Sequence, residues 1–189
     1  MSLTKQIFRE KCLQKIKKCA KHNKIYRSKK VNLKLLDELK GLKGKKILFY
    51  YPLPNEADIR KSIFDLRKMN TIYIPFMEGE SFKMVLFRLP LRKKRFGIFE
   101  AGDTLNDIKN IDIAIVPSVG VDGNLQRVGF GKGMYDRFFE KLRKKPYTIF
   151  IQSQLCYTRE LICDDYDISC DLLLTPKIRI AKNNRKKIC

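Results

Sequence analysis

Short apolar runs alternating with amphipathic helical stretches predict a single α/β domain. Its expected architecture is three layers, helix–sheet–helix, with a mainly parallel central sheet. Three observations carry this. Ile47-Leu48-Phe49-Tyr50 and the mostly apolar run Ile111–Val116 read as strands buried on both faces. Stretches with helical spacing separate such runs. A glycine-rich segment, 127–137, feeds directly into an apolar pattern (Phe138, Phe139, Leu142) typical of a helix covering a sheet. At 189 residues and 44% hydrophobic, the chain is long enough for one real core, so 1–189 is read as one domain.

The elements follow in order. Residues 4–20 form a predicted helix, with Phe8, Cys12 and Ile16 on one side and lysines elsewhere. A second helix is expected over 32–42, closed by Gly41 and Gly44. Lys46–Tyr51 is a predicted buried strand. Asn55 is expected to cap a helix running to about Met69, with Asp58 as a capping-box-like partner. Thr71–Phe76, Phe82–Leu89 and Ile111–Val116 are further strands. Val121-Asp122-Gly123-Asn124 carries an Asp-Gly hairpin turn that leads into the glycine segment. Tyr147–Ile151 and Asp171–Thr175 complete the strand set. Residues 180–189 are expected as a basic, mobile tail. Ligands of such folds sit at the carboxyl ends of the parallel strands.

Composition restricts function. The formal net charge is +21, and its excess lies in the first 50 residues and after Pro176, where Lys177, Arg179, Lys182, Arg185, Lys186 and Lys187 meet no acids. Basic ends of this kind bind nucleic-acid phosphates, steer a polyanionic small substrate, or simply reflect a lysine-rich genome as solvated surface charge. No RNA-stacking or zinc-finger motif accompanies them, which disfavours nucleic acid as the partner. No apolar run approaches the roughly 18 residues of a membrane span, and no signal-like stretch opens the chain, so a cytoplasmic protein without membrane contact is expected. Cys12, Cys19, Cys156, Cys163, Cys170 and Cys189 show no C-x-x-C spacing, and His22 is the single histidine. Reduced thiols and no zinc site are expected.

Arg127-Val-Gly129-Phe-Gly131-Lys132-Gly133-Met-Tyr135-Asp136-Arg137 is the most informative segment. Alternating glycines leave backbone N–H groups uncovered, and a helix starting there presents its positive end to the same spot. Arg127, Lys132 and Arg137 add cations, and Asp136 offers a metal carboxylate. The pattern is neither Walker A nor the dinucleotide fingerprint. It reads as a polyphosphate site, the plain alternative being a tight turn that feeds a helix.

Together with this block, two others resemble the 5-formyltetrahydrofolate cyclo-ligase family, also called methenyltetrahydrofolate synthetases. One is Tyr50-Tyr51-Pro-Leu-Pro-Asn-Glu56-Ala-Asp58-Ile-Arg60, followed by Arg95-Phe96-Gly97-Ile98-Phe99-Glu100. The glycine block is preceded by Val116-Pro117 through Asp122, and the last block is Tyr166-Asp167 through Asp171 to Thr175-Pro176. Lys5 and Arg9 supply the lysine-x-x-x-arginine pair of the first helix. The resemblance spans nearly the whole chain.

What the resemblance implies is an ATP- and magnesium-dependent ring closure of 5-formyltetrahydrofolate to 5,10-methenyltetrahydrofolate, with ADP and phosphate released through a phosphorylated formyl intermediate, in a monomer. By the same resemblance Lys5, Arg9, Arg127, Gly129, Phe130, Gly131, Lys132, Gly133, Met134 and Tyr135 bind ATP. Tyr51, Glu56 and the stretch from Phe130 to Met134 face the folate. Lys132, Tyr135 and Arg137 act in catalysis, and Asp136 and Asp167 hold magnesium, with Asp171 a lesser candidate. The chain departs from the family pattern at Phe130 (Arg or His elsewhere), Met134 (tyrosine) and Tyr166 (often histidine). The alternative function is a basic nucleic-acid-binding protein whose glycine loop cradles backbone phosphate.

Overall fold

The computed structural model describes residues 3–93, 99–102 and 110–182. Helix α1 (Lys5–Lys21) is capped by the Thr4 hydroxyl, which accepts from the Ile7 N–H, and it buries Phe8, Cys12 and Ile16 as the spacing predicts. Asn23, in the left-handed region at φ 60°, breaks the chain direction before α2 (Lys24–Glu38). There follow β1 (Lys46–Phe49), α3 (Arg60–Leu66), β2 (Thr71–Glu78), β3 (Ser81–Leu86), β4 (Arg92–Lys93) and β5 (Phe99–Glu100). The second half contains β6 (Ile113–Pro117), β7 (Gly120–Val121), β8 (Arg127–Val128), α4 (Met134–Glu140), β9 (Tyr147–Ile151), β10 (Leu172–Leu174) and β11 (Arg179–Ala181).

Seven strands form the main sheet, in the order β11-β10-β9-β6-β1-β2-β3. Its five inner strands are parallel, and the edges β3 and β11 are antiparallel hairpin partners of β2 and β10. Strand alternation divides the core by face. Ile47, Phe49, Ile113, Ile115, Ile149 and Ile151 point to the side covered by α2 and α3. Leu48, Ala114, Val116, Phe150 and Leu173 point to the side covered by Phe138 and Phe139 of α4. The three-layer α/β architecture with a mainly parallel sheet is the one the sequence predicts.

Element boundaries differ in three instructive places. α2 starts at Lys24, not 32, because its buried face carries Ser28 and Asn32 beside Val31 and Leu35, which hides the apolar stripe. Asn32 is satisfied inside: its amide donates to the Ser28 and Asp58 carbonyls, and its oxygen accepts from the Ser62 N–H. The helix expected from Asn55 to Met69 shrinks to α3. The two prolines, Pro52 and Pro54, and a Glu56 carboxylate accepting from the Leu53 N–H (2.8 Å) shape 52–59 as a loop instead. The hairpin at 121–124 exists, but β7 and β8 pair Val121 with Arg127, so its connection is longer than a two-residue turn and places Leu125 at φ 57°.

The expectation of reduced thiols fails for one pair. Cys12 and Cys156, 144 residues apart, form a disulfide in the small cluster of Phe8, Ile16, Val119 and Val128. Nothing in local spacing signals a partner so distant. Of the expected basic tail, Ile180 and Ala181 belong to β11, and 183–189 lie outside the described residues, as do Arg95–Ile98 of the first family block. Among the described residues no helix is long and apolar enough to cross a membrane.

Phe138 anchors α4, stacking on Phe82 of β3 with ring centroids 4.3 Å apart. Phe138→Ala is expected to lower stability by about 3–5 kcal/mol, read as a reduced urea midpoint.

Candidate active site

Residues 129–133 form the link between β8 and α4, and the backbone there demands glycine. Gly131 has φ 100° and Gly133, the N-cap of α4, has φ 55°. Gly129 meets a different constraint: a Cβ there would lie 2.5 Å from the Arg127 guanidinium, which would have to shift to admit it. The loop borders a cleft of about 1210 Å³ on the side of the sheet covered by α4. Lys5 and Arg9 of α1, Gly129, Gly131, Gly133, Asp136 and Arg137 of the loop and α4, and Asp167 all face this cleft. Arg9 is fixed to the loop, its Nε donating to the Gly129 carbonyl at 3.0 Å.

The two carboxylates implied as metal ligands are brought together by the segment after Asp164. Asp136 Oδ1 accepts from the Ile168 N–H at 3.2 Å, so Asp136 abuts the residue that follows Asp167. Asp167 is buried and accepts from the Asp164 N–H at 2.7 Å, and its carboxylate pairs with Lys5. Lys5 also reaches Asp164 at 2.9 Å and lies 5.4 Å from the Tyr166 ring centroid. Burial disfavours the Lys5 ammonium, but hydrogen bonds to Asp167 and Asp164 outweigh it and raise its pKa. Asp136 and Asp167 offer hard oxygen donors of the kind magnesium takes together with water and phosphate, while no group of three or more His, Cys, Asp or Glu that could hold a metal occurs among the described residues. Asp171 lines the same cleft, and its Oδ2 accepts from the Thr148 N–H at 2.8 Å, which ties the start of β10 to β9.

Arg127, Tyr135 and Glu56 lie deeper. Arg127 is 5% exposed; its Nε donates to the Pro117 carbonyl at 2.9 Å, its guanidinium lies 4.8 Å from the Tyr135 ring centroid, and Nη1 is 3.9 Å from Asp136. Burial lowers the Arg127 pKa, opposed by Asp136, Tyr135 and Glu56. Burial likewise raises the phenol of Tyr135 and pushes Glu56 up to about 7, with Arg127 and Lys24 working the other way. Tyr51, half-buried, packs against Phe99 at 5.5 Å.

The remaining predicted residues are on the loop surface or under it. Phe130 is exposed, as is Lys132, whose carbonyl accepts from Arg137 Nη2 at 2.5 Å. Arg137 also binds the Glu80 carbonyl, so this guanidinium braces the loop against the turn after β2. Met134 is partly buried on the α4 side of the core.

Three polar residues that build the site escape sequence reading. Asp164 shares Lys5 with Asp167. Gln126 Nε2 donates to the Asp164 carbonyl (2.8 Å) and the Asp167 carbonyl (3.3 Å). Asp122, fully buried, accepts from the Asn124 and Gln126 N–H groups at 2.9 Å and from the Cys163 N–H at 3.3 Å. The Asp-Gly-Asn turn signal marked Asp122 as a turn residue, but not its bond to the distant 163 segment.

Glu56 gives a pH prediction. Its folded pKa of about 7 lies above the ordinary 4.5, so the folded state holds the proton more tightly than the unfolded chain. The stabilising contribution is present below the unfolded value and is lost as pH rises through about 7. Glu56→Gln is therefore expected to match the parent below pH 4.5 and to exceed it by about 3 kcal/mol above pH 7, measured by urea unfolding across pH.

Comparison with known proteins gives one consistent result. A family model described as the 5-formyltetrahydrofolate cyclo-ligase family matches residues 1–176. The 5-formyltetrahydrofolate cyclo-ligase of Mycoplasma pneumoniae is 27% identical over 173 residues, covering 91% of this chain and 98% of that protein. The mouse (Mus musculus) protein of that name is 23% identical, covering 90% of this chain and 92% of its own length. In fold, the chain superposes on the NMR structure of Aquifex aeolicus 5,10-methenyltetrahydrofolate synthetase with TM-score 0.76 at 24% identity, covering 98% and 96% of the two chains. The synthetase structure from Mycoplasma pneumoniae gives 0.70 at 22% identity, covering 93% and 100%. With a match running from the first residue to Pro176, across the Lys5–Arg9 helix, the glycine loop and both candidate metal carboxylates, the chain belongs to the 5-formyltetrahydrofolate cyclo-ligase family.

Proposed function

We propose that this chain closes 5-formyltetrahydrofolate to 5,10-methenyltetrahydrofolate using ATP, releasing ADP and phosphate, as a monomer in the cytoplasm. The observation that carries this reading is convergence. Two cations of α1, three glycines that border one cleft, and two carboxylates meet at the loop 127–137, with the buried Glu56 behind it.

The formamide of the substrate is a poor electrophile. Its oxygen attacks the terminal phosphorus of ATP, the bond to ADP breaks, and the formyl group becomes a phosphorylated, strongly electrophilic centre. N10 then attacks the formyl carbon and loses its proton, and phosphate departs as the ring closes. No enzyme nucleophile is required; positioning and charge neutralisation are. Lys5, Arg9 and the amides of Gly129, Gly131 and Gly133 hold the phosphates, and Phe130 and Met134 flank nucleotide and folate on the same loop. Lys132 neutralises the transferring phosphoryl group, braced through its carbonyl by Arg137. Arg127 and Tyr135 line the inner side, where Tyr51 and Glu56 receive the folate, Glu56 accepting pterin N–H groups as a carboxylate. Asp136 and Asp167 would hold magnesium, whose charge would offset that of the phosphate oxygens.

The test is incubation with 5-formyltetrahydrofolate, ATP and magnesium while the methenyl product is followed by absorbance. Product formation is expected in the parent protein, and Asp136→Asn and Asp167→Asn are each expected to lower kcat by about 100-fold or more. Lys5→Ala is expected to raise the KM for ATP about 10- to 100-fold, since a charge-assisted hydrogen bond is lost. Folded protein that forms no product would rule out the activity.

A further inference from the structure

Behind Glu56, away from the large cleft, lies a second cavity of about 10 Å³. Lys24, Arg27 and Ser28 of α2, Glu56 of the 52–59 loop and Ser153 after β9 form part of its wall. Its size matches a single water molecule, and although most of its lining surface is apolar, the polar residues Arg27, Ser28, Glu56 and Ser153 are part of it. Arg27 is anchored at one end only: Nη1 donates to Gln154 Oε1 at 2.6 Å and to the Ser153 carbonyl at 3.3 Å. Its Nε–H is buried without a protein partner, the single such side-chain atom among the described residues. A buried cationic donor left unsatisfied is strongly disfavoured. Glu56, which lines the same cavity, commits Oε2 to the Leu53 N–H and has a second carboxylate oxygen.

We propose that one buried water in this cavity bridges Arg27 Nε–H to the Glu56 carboxylate, making Arg27 a positioning residue for the group that receives the pterin. The bridge satisfies the orphaned donor and gives Glu56 a hydrogen bond that strengthens when it is ionised. Two cations act on Glu56 from the elements around it, Lys24 of α2 and Arg127 of β8, and its own charge in turn raises the phenols of Tyr135 of α4 and Tyr50 after β1. Arg27 adds to this set a contact that is relayed through water. The pterin role rests on the proposed function; the bridge does not.

Two ligand-free measurements decide the bridge. A crystal structure at high resolution must show a water within hydrogen-bond distance of both Arg27 Nε and Glu56; a cavity without it overturns the proposal. The Glu56 midpoint, taken from the pH dependence of the stability difference between each protein and its Glu56→Gln counterpart, is expected to rise by about one pH unit in Arg27→Met. Gln154→Ala, which removes the Nη1 partner but keeps Nε–H, is expected to leave the midpoint at the parent value, separating the bridge from general loosening of α2. An unmoved midpoint in folded Arg27→Met overturns the proposal. With substrate, Arg27→Met is expected to raise the KM for 5-formyltetrahydrofolate several-fold at pH 7 with kcat little changed. Failure of the parent protein to bind 5-formyltetrahydrofolate at any pH would instead overturn the proposed function, and the ligand-free midpoint would still decide the bridge.

Discussion

A guanidinium buried beneath a glycine loop organises this site. Arg127 sits on the short hairpin strand β8, donates to the end of β6 at Pro117, lies against the Tyr135 ring and faces Asp136. Its head group fills the space a Cβ at residue 129 would occupy, so the cation and the first glycine are one structural decision. Desolvating that cation is unfavourable unless nearby acceptors and negative charge offset it. Asp136 on the cleft side and Glu56 on the inner side both do so, and Arg127 thereby couples the two halves of the site.

The outer half depends on how α1 is held. Gly120 of β7 is so close to that helix that a Cβ would come within 2.6 Å of the Phe8 ring and 3.1 Å of Cys12 Sγ. The Cys12–Cys156 disulfide and the Arg9–Gly129 hydrogen bond fix the same helix to the segment after β9 and to the glycine loop. Lys5, one turn before Arg9, is consequently delivered to Asp164 and Asp167. A helix packed this closely brings fixed charge to the cleft with little ordering left to complete.

The inner strands were legible because β1, β6, β9 and β10 are short apolar runs, whereas the edge strand β11, Arg179–Ala181, carries a basic residue and read as the start of the tail. The helix boundaries near Glu56 were not legible either. Asn32 and Ser28 are buried polar residues whose partners, Asp58 and Ser62, lie about thirty residues away, and no local pattern announces them. The candidate site divides in the same manner. Its glycines, cations and Asp136 sit within one eleven-residue stretch and were readable, whereas Asp164, Gln126 and Asp122 act through contacts between 122–126 and 163–167. Arg27 belongs with them: its environment is assembled from α2, the 52–59 loop and the segment after β9.

The account stands on a nucleotide triphosphate being held by the amides around 129–133, over a buried Arg127. A crystal soaked with ATP and magnesium examines this directly. The expected result is the terminal phosphate against the Gly129–Gly133 amides and Lys132, with the metal between it and the Asp136 and Asp167 carboxylates and Arg127 still donating to the Pro117 carbonyl. A nucleotide seated elsewhere, with that loop closed against its own side chains, would contradict it.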